Sequence, residues 1–169
     1  MVFICRYEGR DLMIIKQLID EDFVNYKKPS MFIGFPNCSW KCDKECGMQV
    51  CQNSTLATSI AKNIEVKTIV NRYINNPITS SIVCGGLELF DTWDDLYELI
   101  TYMRVSTQDD IVIYTGYYNE EIKEYIDKLM AFSNIIIKFG RYIPKQEKHY
   151  DKELGIYLAS DNQYAERIS

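Results

Sequence analysis

Residues 81–103 run SIVCGGLELFDTWDDLYELITYM, and the fold turns on how they are read. Ser81-Ile82-Val83-Cys84 is a short apolar run, which predicts a buried strand. It runs into Gly85-Gly86. Asp91 or Thr92 is then placed to cap a helix that carries Leu96, Leu99, Ile100 and Met103 on one face. The same unit recurs on both sides. Upstream, Met31-Phe32-Ile33-Gly34-Phe35 predicts a strand ended by Pro36. Residues 66–75 predict a helix with Val66, Ile69, Val70, Tyr73 and Ile74 on one face. Downstream, residues 111–114 read as a strand. Asn119 caps a helix with Ile122, Tyr125, Ile126 and Leu129, and residues 134–138 form a further strand.

Strands alternating with helices imply βαβ units and a mostly parallel sheet. Two α/β architectures remain open: a plain sheet, or part of a β/α barrel. A closed eight-fold barrel takes about 250 residues, more than the 169 present. In either architecture the working loops lie at the carboxyl ends of the strands. The loop after Phe35, Gly85-Gly86 and Thr115-Gly116 all sit at such ends, so they are expected to converge on one face.

The flanks are less regular. Residues 2–7 and 12–19 are two apolar runs separated by the turn-prone Glu8-Gly9-Arg10-Asp11, which reads as a hairpin, or as a strand followed by a short helix. The last thirty residues read as irregular, with one strand near Ile156-Tyr157-Leu158.

Hydrophobic residues make up 47% and charged residues 25%, which supplies a core and excludes intrinsic disorder. A single domain spanning residues 1–169 is expected. The net charge of −5 argues against a general nucleic-acid binder, whose affinity rests on neutralising phosphates. No apolar run nears the ~18 residues of a membrane span, and no secretory signal is read at the start, so a cytoplasmic location is the expectation.

Four of the six cysteines, Cys38, Cys42, Cys46 and Cys51, fall in one loop. Without a secretory signal, clustered thiols point to a metal or an iron–sulfur cluster rather than to disulfides. The only histidine, His149, is distant in sequence and reads as a surface residue, so the donor set is all-thiolate. No CxxC pair occurs, which matches zinc poorly. A closed cluster held by all four loop thiolates, as in an electron carrier or scaffold, is a further alternative. Cys5 and Cys84 sit in apolar runs and read as core thiols. Lys27-Lys28 reads as a solvated pair. Asp94-Asp95 and Glu120-Glu121 read as helix first-turn charges.

The ordered motifs resemble the radical SAM enzymes, and within them the small activating proteins of anaerobic ribonucleotide reductase. Cys38 and Cys42 are similar to the first two cysteines of that family's loop, and Cys51-Gln52-Asn53 to the third with its asparagine. Cys46 is the rival third ligand, but Val50 before Cys51 and Asn53 after it favour Cys51. Eight residues separate Cys42 from Cys51, where the family has two. Cys84-Gly85-Gly86-Leu87-Glu88 resembles the family's Gly-Gly-Glu loop with one extra residue. Ile113-Tyr114-Thr115-Gly116-Tyr117, Gly140-Arg141-Tyr142-Ile143 and Leu158-Ala159-Ser160-Asp161-Asn162-Gln163 resemble later blocks.

The resemblance implies an incomplete β/α barrel with a mostly parallel sheet, in which residues 12–19 form a strand. It implies a [4Fe–4S] cluster on Cys38, Cys42 and Cys51, and S-adenosylmethionine bound by Gly85, Gly86, Glu88 and Thr115. Trp40 would shield the cluster. The implied activity is the making of a glycyl radical on anaerobic ribonucleotide reductase, with a small reductant such as flavodoxin.

Overall fold

The computed structural model of the chain describes residues 12–169. In chain order the elements are β1 (Leu12–Ile15), β2 (Gln17–Asp22), β3 (Ser30–Phe35), α1 (Lys41–Cys46), α2 (Ser54–Thr58), β4 (Lys62–Glu65), α3 (Val66–Ile74) and β5 (Ser81–Gly86). Then come α4 (Trp93–Ser106), β6 (Asp110–Tyr114), α5 (Lys123–Leu129), β7 (Ile135–Phe139), β8 (His149–Asp151), β9 (Ile156–Leu158) and β10 (Tyr164–Arg167).

Six strands form one sheet in the order β10-β7-β6-β5-β3-β2. The four inner strands are parallel, and the edges β2 and β10 run antiparallel to their neighbours. The chain is therefore mixed α/β with a mostly parallel central sheet, and no closed barrel forms among the described residues.

The alternation of each inner strand explains the two faces. Met31, Ile33 and Phe35, then Ile82 and Cys84, then Ile111 and Ile113, then Ile135, Ile137 and Phe139 pack against the buried stripes of α3, α4 and α5. In α4 that stripe is Leu96, Leu99, Ile100 and Met103, none more than 1% exposed. Each such side chain contributes about 2 kcal/mol by burial. The opposite face carries Val83, Val112 and Ile136, which pack on Tyr26, Leu154 and Leu158 and on no helix. The helices thus cover one face, and the loop at residues 23–29 with the β8–β9 hairpin covers the other. Both faces are buried, which is why the inner strands read as continuous apolar runs rather than as alternating ones.

Several local expectations are corrected. Residues 12–19 are strand, as the resemblance implied, but not one strand: they break at Lys16, the first half pairing with β4 and the second with β3. The Lys16 amide donates to Gly34 O at the break, and its ammonium bonds Ala57 O. Ile74 is 48% exposed, because α3 ends there, three residues before Pro77. Thr92 occupies the cap position of α4 but makes no capping hydrogen bond, and Asp91 is engaged elsewhere. Asn119 opens a short 3-10 turn before α5 rather than capping a helix. Lys28 is ion-paired to Asp110 at 2.6 Å. His149 is half-buried in β8. The expected strand at residues 2–7, the turn at 8–11 and Cys5 lie outside the described residues.

Candidate metal centre

The carboxyl ends of β3, β5, β6 and β7 open on a cavity of about 610 Å³. Cys38, Cys42 and Cys51 line it, and so do Gly85, Gly86, Glu88 and Thr115. All seven residues singled out from the sequence therefore share one space. Cys46, half-buried at the end of α1, is not among the lining residues. Trp40 is not among them either, so its indole does not form a wall. What Trp40 contributes is backbone: at φ 59 it turns the chain, and its N–H donates to Cys38 Sγ at 3.2 Å.

The cysteine loop is strapped to the neighbouring strand ends. The Ser39 amide donates to Asp91 Oδ2 at 2.6 Å, and Tyr117 OH donates to the other oxygen of the same carboxylate at 2.7 Å. Asp91 thus ties the loop after β3 to the loops after β5 and β6, a role no capping pattern announces. The eight residues between Cys42 and Cys51 are taken up by the rest of α1 and a return that begins at Gly47 in the left-handed region, φ 65. Asp43 Oδ1 then accepts both the Val50 and the Cys51 amides, at 2.8 and 2.9 Å. Asn53 donates to Gly86 O at 2.6 Å, which joins the end of the cysteine loop to the glycine pair.

Burial pushes the Cys38 thiol up to about 11, a rise that the Trp40 N–H opposes and that Glu88, Asp91 and Cys51 add to. Burial raises Cys42 as well, while the Tyr142 N–H on its sulfur works the other way. Cys51 acts electrostatically on both and raises them further. A bound metal inverts this pattern by holding the thiolates deprotonated.

Gly86 closes β5 at φ 91, and a Cβ there would meet Gly34 Cα and Phe35 N at 2.9 Å. Only glycine lets β5 and β3 approach so closely. Two residues on, Glu88 is turned inward and 7% exposed. Its carboxylate accepts from Thr115 Oγ1 at 2.7 Å, from the Gly116 amide at 2.8 Å and from the Phe90 amide at 3.3 Å. Burial outweighs these donors and pushes its pKa up to about 7. Gly116 also borders the sulfur, since a Cβ on it would lie 3.5 Å from Cys42 Sγ.

Several residues that the sequence reading named only within a strand or a motif block, and gave no role, contribute here. Lys138 is the one cationic side chain among the described residues that line the cavity, buried at 7% exposure, with its Nζ donating to Gly140 O at 3.0 Å. Burial lowers its pKa to about 8, against the opposing pull of Cys42 and Glu88. The signal was present: a lone lysine in Ile135-Ile136-Ile137-Lys138-Phe139 shares the face of Ile136, away from the helices. Arg141, 3% exposed, reaches Glu121 at 2.6 Å and Glu45 at 3.0 Å and lies over the Tyr118 ring at 4.9 Å. Glu121 is therefore an ion-pair partner, held down to about 2 by the Arg141 guanidinium, and not only a first-turn charge. Gln163 bonds Gly140 O, and Asn162 bonds Arg141 O, so the two C-terminal motif blocks are tied together.

Residues 29–164 match the family model described as a 4Fe-4S single cluster domain. The chain belongs to that family. No curated protein and no solved structure matches this 4Fe-4S domain. Among the described residues, no three His, Cys, Asp or Glu side chains stand together as ligands of one metal ion. A four-iron cube makes a different demand, since each of its thiolates ligates its own iron. Three cysteine sulfurs facing one cavity, two of them already accepting backbone N–H groups, fit that demand.

Proposed function

We propose that this 4Fe-4S domain is a radical SAM activating enzyme that generates a glycyl radical on anaerobic ribonucleotide reductase. The observation that carries the reading is the convergence of Cys38, Cys42 and Cys51 with Gly85, Gly86, Glu88 and Thr115 on one cavity that omits Cys46. Three thiolates on a four-iron cube leave one iron for the substrate. A [4Fe–4S] cluster held by Cys38, Cys42 and Cys51 would supply, once reduced by an external carrier, the electron for reductive cleavage of the sulfonium of S-adenosylmethionine.

In this reading the protein binds, orients and excludes water. Glu88 accepts from the methionyl ammonium. Its two oxygens offer about four acceptor positions, so three internal donors leave room for one more. Lys138 pairs with the carboxylate of the same ligand. The flat Gly85-Gly86 backbone lets the ligand lie against the sheet, and Thr115 fixes the acid. We read the sheet as a β/α barrel left incomplete, a reading supported by sequential parallel inner strands with helices on one face. Its open mouth carries Val24 and Tyr157, 72% and 69% exposed, a rim suited to a protein segment that bears the target glycine. The electron comes from a small carrier such as flavodoxin.

The test is anaerobic reconstitution followed by electron paramagnetic resonance of the reduced protein with and without S-adenosylmethionine. A changed signal, with 5′-deoxyadenosine and methionine formed in equal amounts, is the expected outcome. A fully loaded, reduced sample that leaves the cofactor intact removes the enzyme claim. The rival reading, an electron carrier closed by a fourth thiolate, requires Cys46→Ala to destroy the cluster as thoroughly as Cys51→Ala.

A further inference from the structure

The cavity takes in Cys51 and omits Cys46, which raises the question of what enforces that choice. Cys46 lies one helical turn beyond Cys42 on α1, whereas Cys51 comes only after the chain has turned back at Gly47. Nothing in residue type distinguishes the two sulfurs. What distinguishes them is the neck of the excursion. Asp43 lies in the first turn of α1, next to Cys42, and one oxygen of its carboxylate accepts the amides of both Val50 and Cys51. The far end of α1 is held separately, by Glu45 on the buried Arg141 at 3.0 Å. The far end of α1, with Cys46, is therefore tied to a residue that does not line the cavity, while the backbone of Cys51 is drawn back beside Cys42.

We propose that Asp43 is a positioning residue that selects Cys51 over Cys46 as the third thiolate, by clamping residues 43–51 into a closed loop. The proposal rests on the ligand set assigned above and adds the group that enforces it. The carboxylate touches no cofactor. It acts through two backbone amides, which are charge-assisted donors to it.

The clamp is read in the apoprotein, reduced and anaerobic, by timed iodoacetamide alkylation with residue-resolved mass spectrometry. Asp43→Ala is expected to raise the Cys51 rate about tenfold, the scale of a lost charge-assisted bond. Cys84, fully buried, stays at the wild-type rate and reports that the fold is intact. Asp43→Asn keeps an acceptor oxygen in place and is expected to stay near wild type, which a generally destabilising change would not do. Should Asp43→Ala expose Cys84 too, Asp43→Glu decides: its longer side chain displaces the amides and must speed Cys51 alone. Equal Cys51 rates in wild type, alanine and glutamate variants overturn the proposal.

A second arm reads selection by iron and sulfide content. Cys51→Ala is expected to bind little iron, and Asp43→Ala with Glu45→Gln in that background, which frees both ends of α1, to regain binding that Cys46→Ala then abolishes. No recovery overturns the selection claim. Undiminished loading of Cys51→Ala with Asp43 intact instead sinks the ligand assignment, a failure that the alkylation rates do not share.

Discussion

Replacing Gly86 by alanine probes the closeness of two backbones that the cavity depends on. Gly86 sits at φ 91, opposite Phe35 in the β3–β5 ladder. The left-handed backbone alone costs a non-glycine residue about 1–2 kcal/mol. The new methyl meets Gly34 Cα and Phe35 N at 2.9 Å and Leu56 Cδ2 at 3.0 Å. Two of the three are main chain and cannot swing away, so overpacking adds about 1–3 kcal/mol. The lower entropy of an unfolded alanine offsets roughly 0.5 kcal/mol. The net loss is about 3 kcal/mol, or roughly 6–12 °C in Tm for a domain of this size.

Gly47→Ala is the matched control. Its φ of 65 brings the same backbone cost, but nothing lies within 4 Å of the new methyl, so the loss is about 1 kcal/mol. Thermal and urea unfolding of the reduced apoproteins compare the two directly. Equal losses would mean that the β3–β5 contact yields freely, and the argument that only glycine fits there would fail.

Two further outcomes follow from the polar contacts. Thr115→Val removes the 2.7 Å donor to Glu88 and the acceptor for the Tyr117 amide, and is expected to cost about 1–3 kcal/mol in urea unfolding, with Thr115→Ser restoring most of it. Asp110 is 6% exposed; burial pushes its pKa up, but Arg167, Lys28 and Tyr26 outweigh this and bring it from 3.8 to about 2. Its folded pKa lies below the unfolded one, so the pairing stabilises fully above about pH 4 and fades as the pH falls toward 2, by about 2 kcal/mol in all. Asp110→Asn should flatten that limb of the stability–pH curve, as followed by circular dichroism.

The parts of this architecture that were legible in sequence are those where one period dominates. The apolar stripes of α3, α4 and α5 and the unbroken runs of β3, β5, β6 and β7 all carry their burial in their spacing. The edges do not. Tyr164-Ala165-Glu166-Arg167 has no apolar alternation, and it is strand because β7 offers it an open ladder. Lys62-Asn63-Ile64-Glu65 is strand because β1 bends away from the main sheet to meet it. The site divides in the same way. Residues of conspicuous type at strand ends, such as Cys38 and Gly86, were readable. Groups that act by bracing the loop from beside it were not. Asp43, Asp91 and Arg141 hold the cysteine loop by contacts whose partners lie far along the chain, apart from Asp43's return to Cys51, and no local pattern encodes such pairings.

The cover of the helix-free face has a consequence for biosynthesis. Ile156, Leu158, Ala159 and Gln163 wall the cavity, and β10 completes the edge beside β7. During translation all of them emerge after the cysteine loop. The nascent protein thus displays its thiols before it owns the walls that shelter them. An iron–sulfur donor arriving early meets an exposed loop, and one arriving late must deliver through a finished doorway.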